Sequence, residues 1–285
     1  MSYTLGVLGG SGLYEMEGLR DVSEVDIDTP FGRPSDVLVK GTLPNGTTLV
    51  FLPRHGRGHR IPPHQINFRA NVCALKKAGA THLVSVSAVG SMKEEIEPGH
   101  LVVPDQFIDL TKRRISTFFE DGIAGHVPFA DPVCKLLSGA VADAAVRAGA
   151  KVHRGGTYVC IEGPQFSTRA ESNVYRTWGV SVIGMTSMPE AKLAREAELP
   201  FATLALATDY DCWHEGHDAV TVEQVVATMK ANVAFAKQTL VELASALPDP
   251  TKSIAHGATR GAVMTASSLV PPATKARLGW LLGDL

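Results

Sequence analysis

Residues 204–208 read Leu-Ala-Leu-Ala-Thr, an apolar run of strand length that stops abruptly at Asp209 and Asp211, with Tyr210 between them and Cys212-Trp213 after. This stretch limits the fold more than any other, because the rest of the chain repeats its logic: short apolar runs end in glycine or hydroxyl turns, and helical patterns follow. Strand-length runs alternating with helical patterns indicate an α/β sheet. In open sheets of that kind ligands gather outside the carboxyl ends of the strands. Alternate residues of an extended chain point the same way, so Asp209 and Asp211 are expected to face one small ligand together. The competing reading is a solvated strand-to-loop turn, where Asp is common.

At 285 residues the chain is long for one domain, yet fits a single large α/β domain with a substantial core. Its formal net charge of −2 and the lack of a long Lys/Arg block argue against a nucleic-acid partner or an anionic membrane. No apolar stretch approaches spanning length, and no basic region precedes a signal-like core, so a cytoplasmic protein is expected. Cys73, Cys134, Cys160 and Cys212 form no CxxC pair, which suits reduced thiols.

Several strand ends carry polar chemistry. Residues 4–8 run as a buried strand into Gly9-Gly10-Ser11-Gly12-Leu13, a turn whose N–H groups can approach an anion, with Ser11 as a further donor. A plain tight turn is the alternative. The spacing fits neither the dinucleotide fingerprint nor a phosphate-loop NTPase. Asn45-Gly46 between residues 36–40 and 48–52 predicts a hairpin. Its second strand leads into a loop holding Arg54, His55, Arg57, His59, Arg60 and His64. Arg and His there suit an oxyanion. A metal site is disfavoured, because the loop has no carboxylate and its Arg groups repel a divalent cation; a solvated basic loop is the third reading. Residues 65–78 are expected to be helical, and residues 82–88 form a second buried strand with Ser87 at its end.

Residues 106–132 have weak periodicity and read as a long functional loop containing His126. Thr168-x-x-Glu171 predicts a capping box at a helix start, with Phe166 before it as a hydrophobic staple or a stacking surface. Ser187-Met188-Pro189-Glu190 predicts a second capping box, placing Thr186 and Ser187 at a helix N-terminus that favours an anion. An amphipathic helix with a capping box at Thr221-x-x-Gln224 is expected over residues 221–247, followed by a tail with a short helix over residues 274–285. His214-Glu215-Gly216-His217 has the wrong spacing for a zincin motif.

Ser11, Arg54, His55, Ser87 and Thr186 thus suggest one oxyanion pocket assembled from several sheet crossings. At this point Gly9-Gly10-Ser11-Gly12-Leu13, Arg54-His55-Gly56-Arg57-Gly58-His59, Ser87-Ala88-Val89-Gly90-Ser91, residues 162–171, Met185-Thr186-Ser187-Met188-Pro189-Glu190 and residues 207–213 together resemble the motif series of the trimeric purine nucleoside phosphorylase family, and within it the 5′-methylthioadenosine phosphorylase branch. The likeness covers about residues 4–245.

The resemblance implies a single domain with a central mixed, twisted β-sheet flanked by helices. It spans residues 1–247, with residues 248–285 as a tail packed on the domain or on a neighbouring subunit. It implies phosphate binding by Ser11, Arg54, His55, Ser87, Ala88 and Thr186, ribose contact by Met185 and base stacking by Phe166. Asp209 and Asp211 would meet the purine N7 and the 6-amino edge, Asp209 as the acid. His59, His126, Val222, Val225 and Val226 would line the 5′ side, the histidines partly from a neighbouring subunit. The implied reaction is phosphorolysis of 5′-methylthioadenosine, with phosphate as co-substrate, no metal or other cofactor, and a homotrimer or dimer of trimers as the assembly. Members that prefer 6-oxopurines carry asparagine where Asp209 stands. The readings kept beside it are a phosphorylase of 6-oxopurine nucleosides or 5′-methylthioinosine, and a non-catalytic nucleoside-binding protein.

Overall fold

A computed structural model describes residues 3–10, 12–13, 15–214 and 222–283; of residues 222–227 and 229 it describes the backbone alone. The described residues build one 11-stranded mixed sheet. The first half contributes β1 (Thr4–Gly9), β2 (Arg20–Val25), the hairpin β3 (Leu38–Thr42) and β4 (Thr48–Pro53), helix α1 (Phe68–Lys77), β5 (His82–Ser91), β6 (Leu101–Val103) and β7 (Gln106–Asp109). The second half adds α2 (Lys135–Arg147), β8 (Val152–Arg154), β9 (Thr157–Cys160), α3 (Arg169–Thr177), β10 (Val182–Gly184), α4 (Ser187–Glu196), β11 (Phe201–Asp209), α5 (Val222–Ala244) and α6 (Pro272–Leu282).

The hairpin forms around Gly46, whose φ of +85° is open to glycine at no steric cost. Helix α1 starts at Phe68 rather than residue 65, because the Asn67 side chain accepts from the Ala70 N–H and caps it there.

Strand β5 carries the architecture. It pairs in parallel with β1 up to Leu8↔Ser85, in parallel with β11 along its other edge, and antiparallel with β10 only from Gly90 and Ser91. The sheet therefore forks at β5: one branch runs through β1 and β4 to β2, the other through β10 and β9 to β7, while β11, β6 and β8 extend the far side. Alternation along β5 sends Val84 and Val86 to a core shared with Leu137 and Val141 of α2 and Leu240 and Leu243 of α5. Leu83 and Val89 point oppositely, into a core shared with Val72 of α1, Leu193 of α4 and Leu278 of α6. Two helical layers thus sandwich the sheet, each burying an apolar face. Ser85 and Ser87 lie on the α4 side between Leu83 and Val89, so their hydroxyls need polar partners from that layer.

The segment after Pro248 joins the same core: Val270 and Leu278 are buried, and Trp280 meets the buried Phe118 edge-on at 5.1 Å. No helix among the described residues is long and apolar enough to cross a membrane.

Candidate active site

Between the last β1 pairing at Ser85 and the first β10 pairing at Gly90, β5 has no strand neighbour on that edge among the described residues. This is a crevice at a topological switch point, where an α/β sheet exposes strand-end polar groups to a ligand. Ser87 lies in it, with its Oγ 2.9 Å from Thr186 Oγ1 and 3.3 Å from Tyr158 OH. A small cavity borders Gly10, Ser87 and Ala88. Ser11, in the adjoining glycine turn, lies outside the described residues, whereas Gly12 beside it holds a φ of +103° that suits glycine.

Arg54 follows β4 directly and turns inward; it is 2% exposed. Its Nε donates to Glu190 Oε1 at 2.5 Å and its Nη2 to Glu190 Oε2 at 3.1 Å and Ser85 Oγ at 2.7 Å. The Leu8 and Val86 carbonyls accept from Nη2 and Nη1. One guanidinium thereby ties together the ends of β1, β5 and α4 beneath Ser87.

The structure corrects the capping box expected over residues 187–190. Thr186 occupies the cap position without a side-chain cap bond, and Met188 and Pro189 are non-helical. Glu190 faces Arg54 and Ser85 rather than the helix start. A buried cation outcompetes a local capping bond, since leaving the guanidinium unpaired costs far more than an empty cap. The other predicted box is present: Thr168 accepts from the Glu171 N–H and Glu171 reaches back to the Thr168 N–H. The Thr221-x-x-Gln224 box lies outside the described residues.

His55 is half-buried, and its Nδ1 lies 2.8 Å from the Ile61 carbonyl. A carbonyl only accepts, so Nδ1 carries the proton. Burial, helped by the Arg54 charge, pushes the ring down to about 4, which leaves Nε2 with a lone pair at neutral pH. The His59 ring stacks on it at 4.2 Å, held by a backbone φ of +54°.

At the end of β11 the strand alternation expected of the Asp pair gives way. A register shift between Ala207 and Asp209 inserts Thr208 as a bulge, and Asp211 adopts a φ of +54°. The pair converges through this irregular turn: Asp209 Oδ1 accepts the Asp211 N–H at 2.8 Å, and Thr208 Oγ1 donates to Asp209 Oδ2 at 2.6 Å. Ser172 of α3 donates to Asp211 Oδ2 at 2.5 Å. Gly90 makes room below, for an added Cβ would sit 3.0 Å from Asp209 Oδ1 and 3.2 Å from Asp211 Cβ. Burial raises both carboxyls above the ordinary range. Their hydrogen bonds oppose the shift, and the charge of Asp211 adds least to that of Asp209. Register places this pair near Ser87, because Ala205 pairs with Ser87 and Asp209 with Gly90.

Met185 approaches Gly163, where an added Cβ would come within 2.5 Å of its Sδ. Phe166 is 64% exposed, which does not fit a staple packed on its helix and leaves a flat face free. His126 is exposed on the long loop, which bridges to the tail through Gly125↔Val263. Among the described residues, no hydrogen bond or ring contact links it to Ser87, Thr186 or the Asp pair. Val222, Val225 and Val226 begin α5, and their side chains lie outside the described residues.

Sequence reasoning passed over Arg114. Its buried guanidinium donates to the carbonyls of Met185 (2.7 Å), Met188 (2.6 Å), Ile161 (3.3 Å) and Glu162 (2.7 Å), and to the Glu162 carboxylate. It fastens the turn that carries Met185 and Thr186 to the strand end that leads to Phe166. Its acceptors are mostly main-chain oxygens, which no side-chain pattern reveals. Ser85 and Glu190 were also missed, although serines at alternate positions of an apolar run were a visible signal for Ser85.

The model of the Phosphorylase superfamily matches residues 4–245. An S-methyl-5′-thioadenosine phosphorylase of Geobacter sulfurreducens is 56% identical over 100% of this chain and 99% of its own length. One from Koribacter versatilis is 53% identical, over 99% of this chain and 97% of its own. A crystal structure of a methylthioadenosine phosphorylase sourced from an antarctic soil metagenomic library superposes with a TM-score of 0.93 at 48% identity, covering 99% of both chains. That of Schistosoma mansoni in complex with adenine has a TM-score of 0.87 at 35% identity, covering 93% of this chain and 100% of that one.

Proposed function

The chain belongs to the phosphorylase superfamily, and from that premise we propose that it catalyses the reversible phosphorolysis of 5′-methylthioadenosine to adenine and 5-methylthio-D-ribose 1-phosphate. The observation that carries the residue assignment is the forked strand β5. Oxyanion donors gather at Ser87, and a buried pair of carboxyls sits at Gly90, one short stretch of strand away. A nucleoside with a phosphate against its sugar has its two reacting ends spaced in just this order.

Ser87, Thr186, the Arg54 guanidinium, Ala88 and the glycine turn with Ser11 hold phosphate, and His55, through its Nε2 lone pair, accepts from the hydroxyl of monohydrogen phosphate. A phosphate oxygen bonds to C1′ as the C1′–N9 bond breaks. Positive charge grows on the sugar next to the anion, and negative charge grows on the departing adenine. Asp209, whose carboxyl burial raises above its ordinary value, hands its proton to N7, and Asp211, oriented by Ser172, accepts from the 6-amino group. Phe166 stacks near the base and Met185 contacts the ribose. His59 and the first turn of α5, with Val222, Val225 and Val226, cover the 5′ thioether. His126 acts across a subunit boundary in a homotrimer, and light scattering tests that assembly.

The deciding assay is phosphate-dependent release of adenine from 5′-methylthioadenosine, run beside 6-oxopurine nucleosides. Release that requires phosphate and favours the adenine nucleoside is expected. Release without phosphate, or preference for the oxopurine, overturns the reading.

A further inference from the structure

Glu190 has no place in the scheme above, yet it is wholly buried beneath the oxyanion corner. Its partners are Arg54 and Ser85: Oε1 accepts from Arg54 Nε, and Oε2 accepts from Arg54 Nη2 and from Ser85 Oγ at 2.7 Å. The sequence puts it four positions after Thr186, and the non-helical residues Met188 and Pro189 let it turn away from the helix start toward β5.

Two consequences follow from this geometry. The carboxylate grips the Nε and Nη2 edge of the guanidinium, the side-on arrangement that fixes the plane of an arginine most firmly. Leu8 and Val86 carbonyls take further N–H groups, and the second N–H of Nη1 has no acceptor among the described residues. Electrostatically, a buried guanidinium alone would pull a dianion in very tightly. Paired with Glu190 it is already offset, and the anion meets a reduced charge.

We propose that Glu190 is a positioning residue for the co-substrate phosphate: it aims one N–H of Arg54 at the oxyanion and weakens the pull of the guanidinium so that the anion stays exchangeable. The inference rests on the phosphate reading above. It assigns to Glu190 no contact with substrate. Its effect passes through Arg54.

The test is thermal unfolding with and without saturating inorganic phosphate, together with KM values for phosphate and for 5′-methylthioadenosine. The parent protein tests the phosphate reading by itself: no phosphate-induced rise in Tm and no phosphate-dependent adenine release sink that reading whatever Glu190 does. Glu190→Gln removes the charge and keeps the shape. Its Tm without phosphate falls, because a buried cation is left uncompensated, while the phosphate-induced rise grows about twofold or more over the parent's and KM for phosphate drops. Glu190→Asp keeps the charge but cannot reach both nitrogens. It raises KM for phosphate roughly tenfold, changes KM for the nucleoside less than about twofold, and gives no enlarged thermal rise. A Glu190→Gln protein whose phosphate-induced rise is no larger than the parent's overturns the proposal. So does a Glu190→Asp protein whose two KM values rise together, the mark of general loosening. Should Glu190→Gln not fold even with phosphate present, the KM split of Glu190→Asp decides.

Discussion

At the Arg54 end of the crevice the polar groups meet partners drawn from distant parts of the chain: Glu190, Ser85, and the carbonyls of Leu8 and Val86. At the Asp209 end the carboxyls are held mainly by close chain neighbours, Thr208 and the Asp211 N–H, with Ser172 reaching in from α3. A bulge and a left-handed aspartate shape the backbone there, and Phe166 stands exposed on the same side. The anion end is therefore set before any ligand arrives. The base end keeps room to close on one, and desolvation there is what shifts the carboxyls. Charge is managed differently as well: the first end offsets a cation with a carboxylate, the second disfavours carboxylate charge by burial.

The hardest blow to this contrast is Asp209→Asn. It removes the proton donor to N7 and is expected to lower kcat/KM for 5′-methylthioadenosine by about 10²–10⁴-fold. The phosphate-induced rise in Tm should stay at the parent's value; if it vanishes, the two ends are not separable. Arg114→Ala tests whether the ends are joined by that side chain. It strips donors from four carbonyls and takes from Glu162 its guanidinium partner, leaving that carboxylate only the Lys112 and Arg113 N–H groups, at a cost of about 3 kcal/mol or more in urea unfolding. Arg114→Lys should recover only part of that.

The two ends also part in their pH behaviour. Because burial raises the Asp209 carboxyl, the folded protein binds more protons than the unfolded chain above the ordinary carboxylate range. That group therefore subtracts stability as pH climbs through its raised value, and the acid form required for adenine release is lost there too. An alkaline fall in kcat/KM should appear in the parent, and titration of the rate checks it. His55 behaves oppositely. Its folded value of about 4 lies below the ordinary 6.5, so the unfolded chain binds the extra proton and stability climbs with pH across that window before levelling. His55→Gln should flatten this climb in Tm against pH. The mildest change is Phe166→Ala. Loss of one stacking face raises KM for the nucleoside about 3-fold to 10-fold, with Tm and KM for phosphate unmoved, since the ring is largely exposed.

Local chemistry was legible in the sequence wherever local forces decide the outcome. Asn45-Gly46 makes its hairpin, and Thr168 with Glu171 makes its capping box. The apolar run of residues 201–208 is a buried strand whose end carries the aspartates. Reading failed where a distant partner wins. Glu190 carries a capping-box spacing but answers to Arg54, 136 positions away. Arg114 binds main-chain oxygens, and β2, exposed along nearly its whole length, lacks the alternation that betrays a strand. The bulge at Thr208 is likewise invisible, because it depends on where β5 ends its pairing.

Strand β5 also acts as a ruler. Ser87 and Gly90 stand three residues apart on it, roughly 10 Å at the rise of an extended strand. The gauge between the anion seat and the acid is thus written in covalent bond lengths along a stiff element and owes nothing to loop length. One residue inserted between those marks would both lengthen the gauge and flip Ser87 or the Gly90 gap onto the opposite face. The surrounding loops are free to vary in length, while that short run of strand is not.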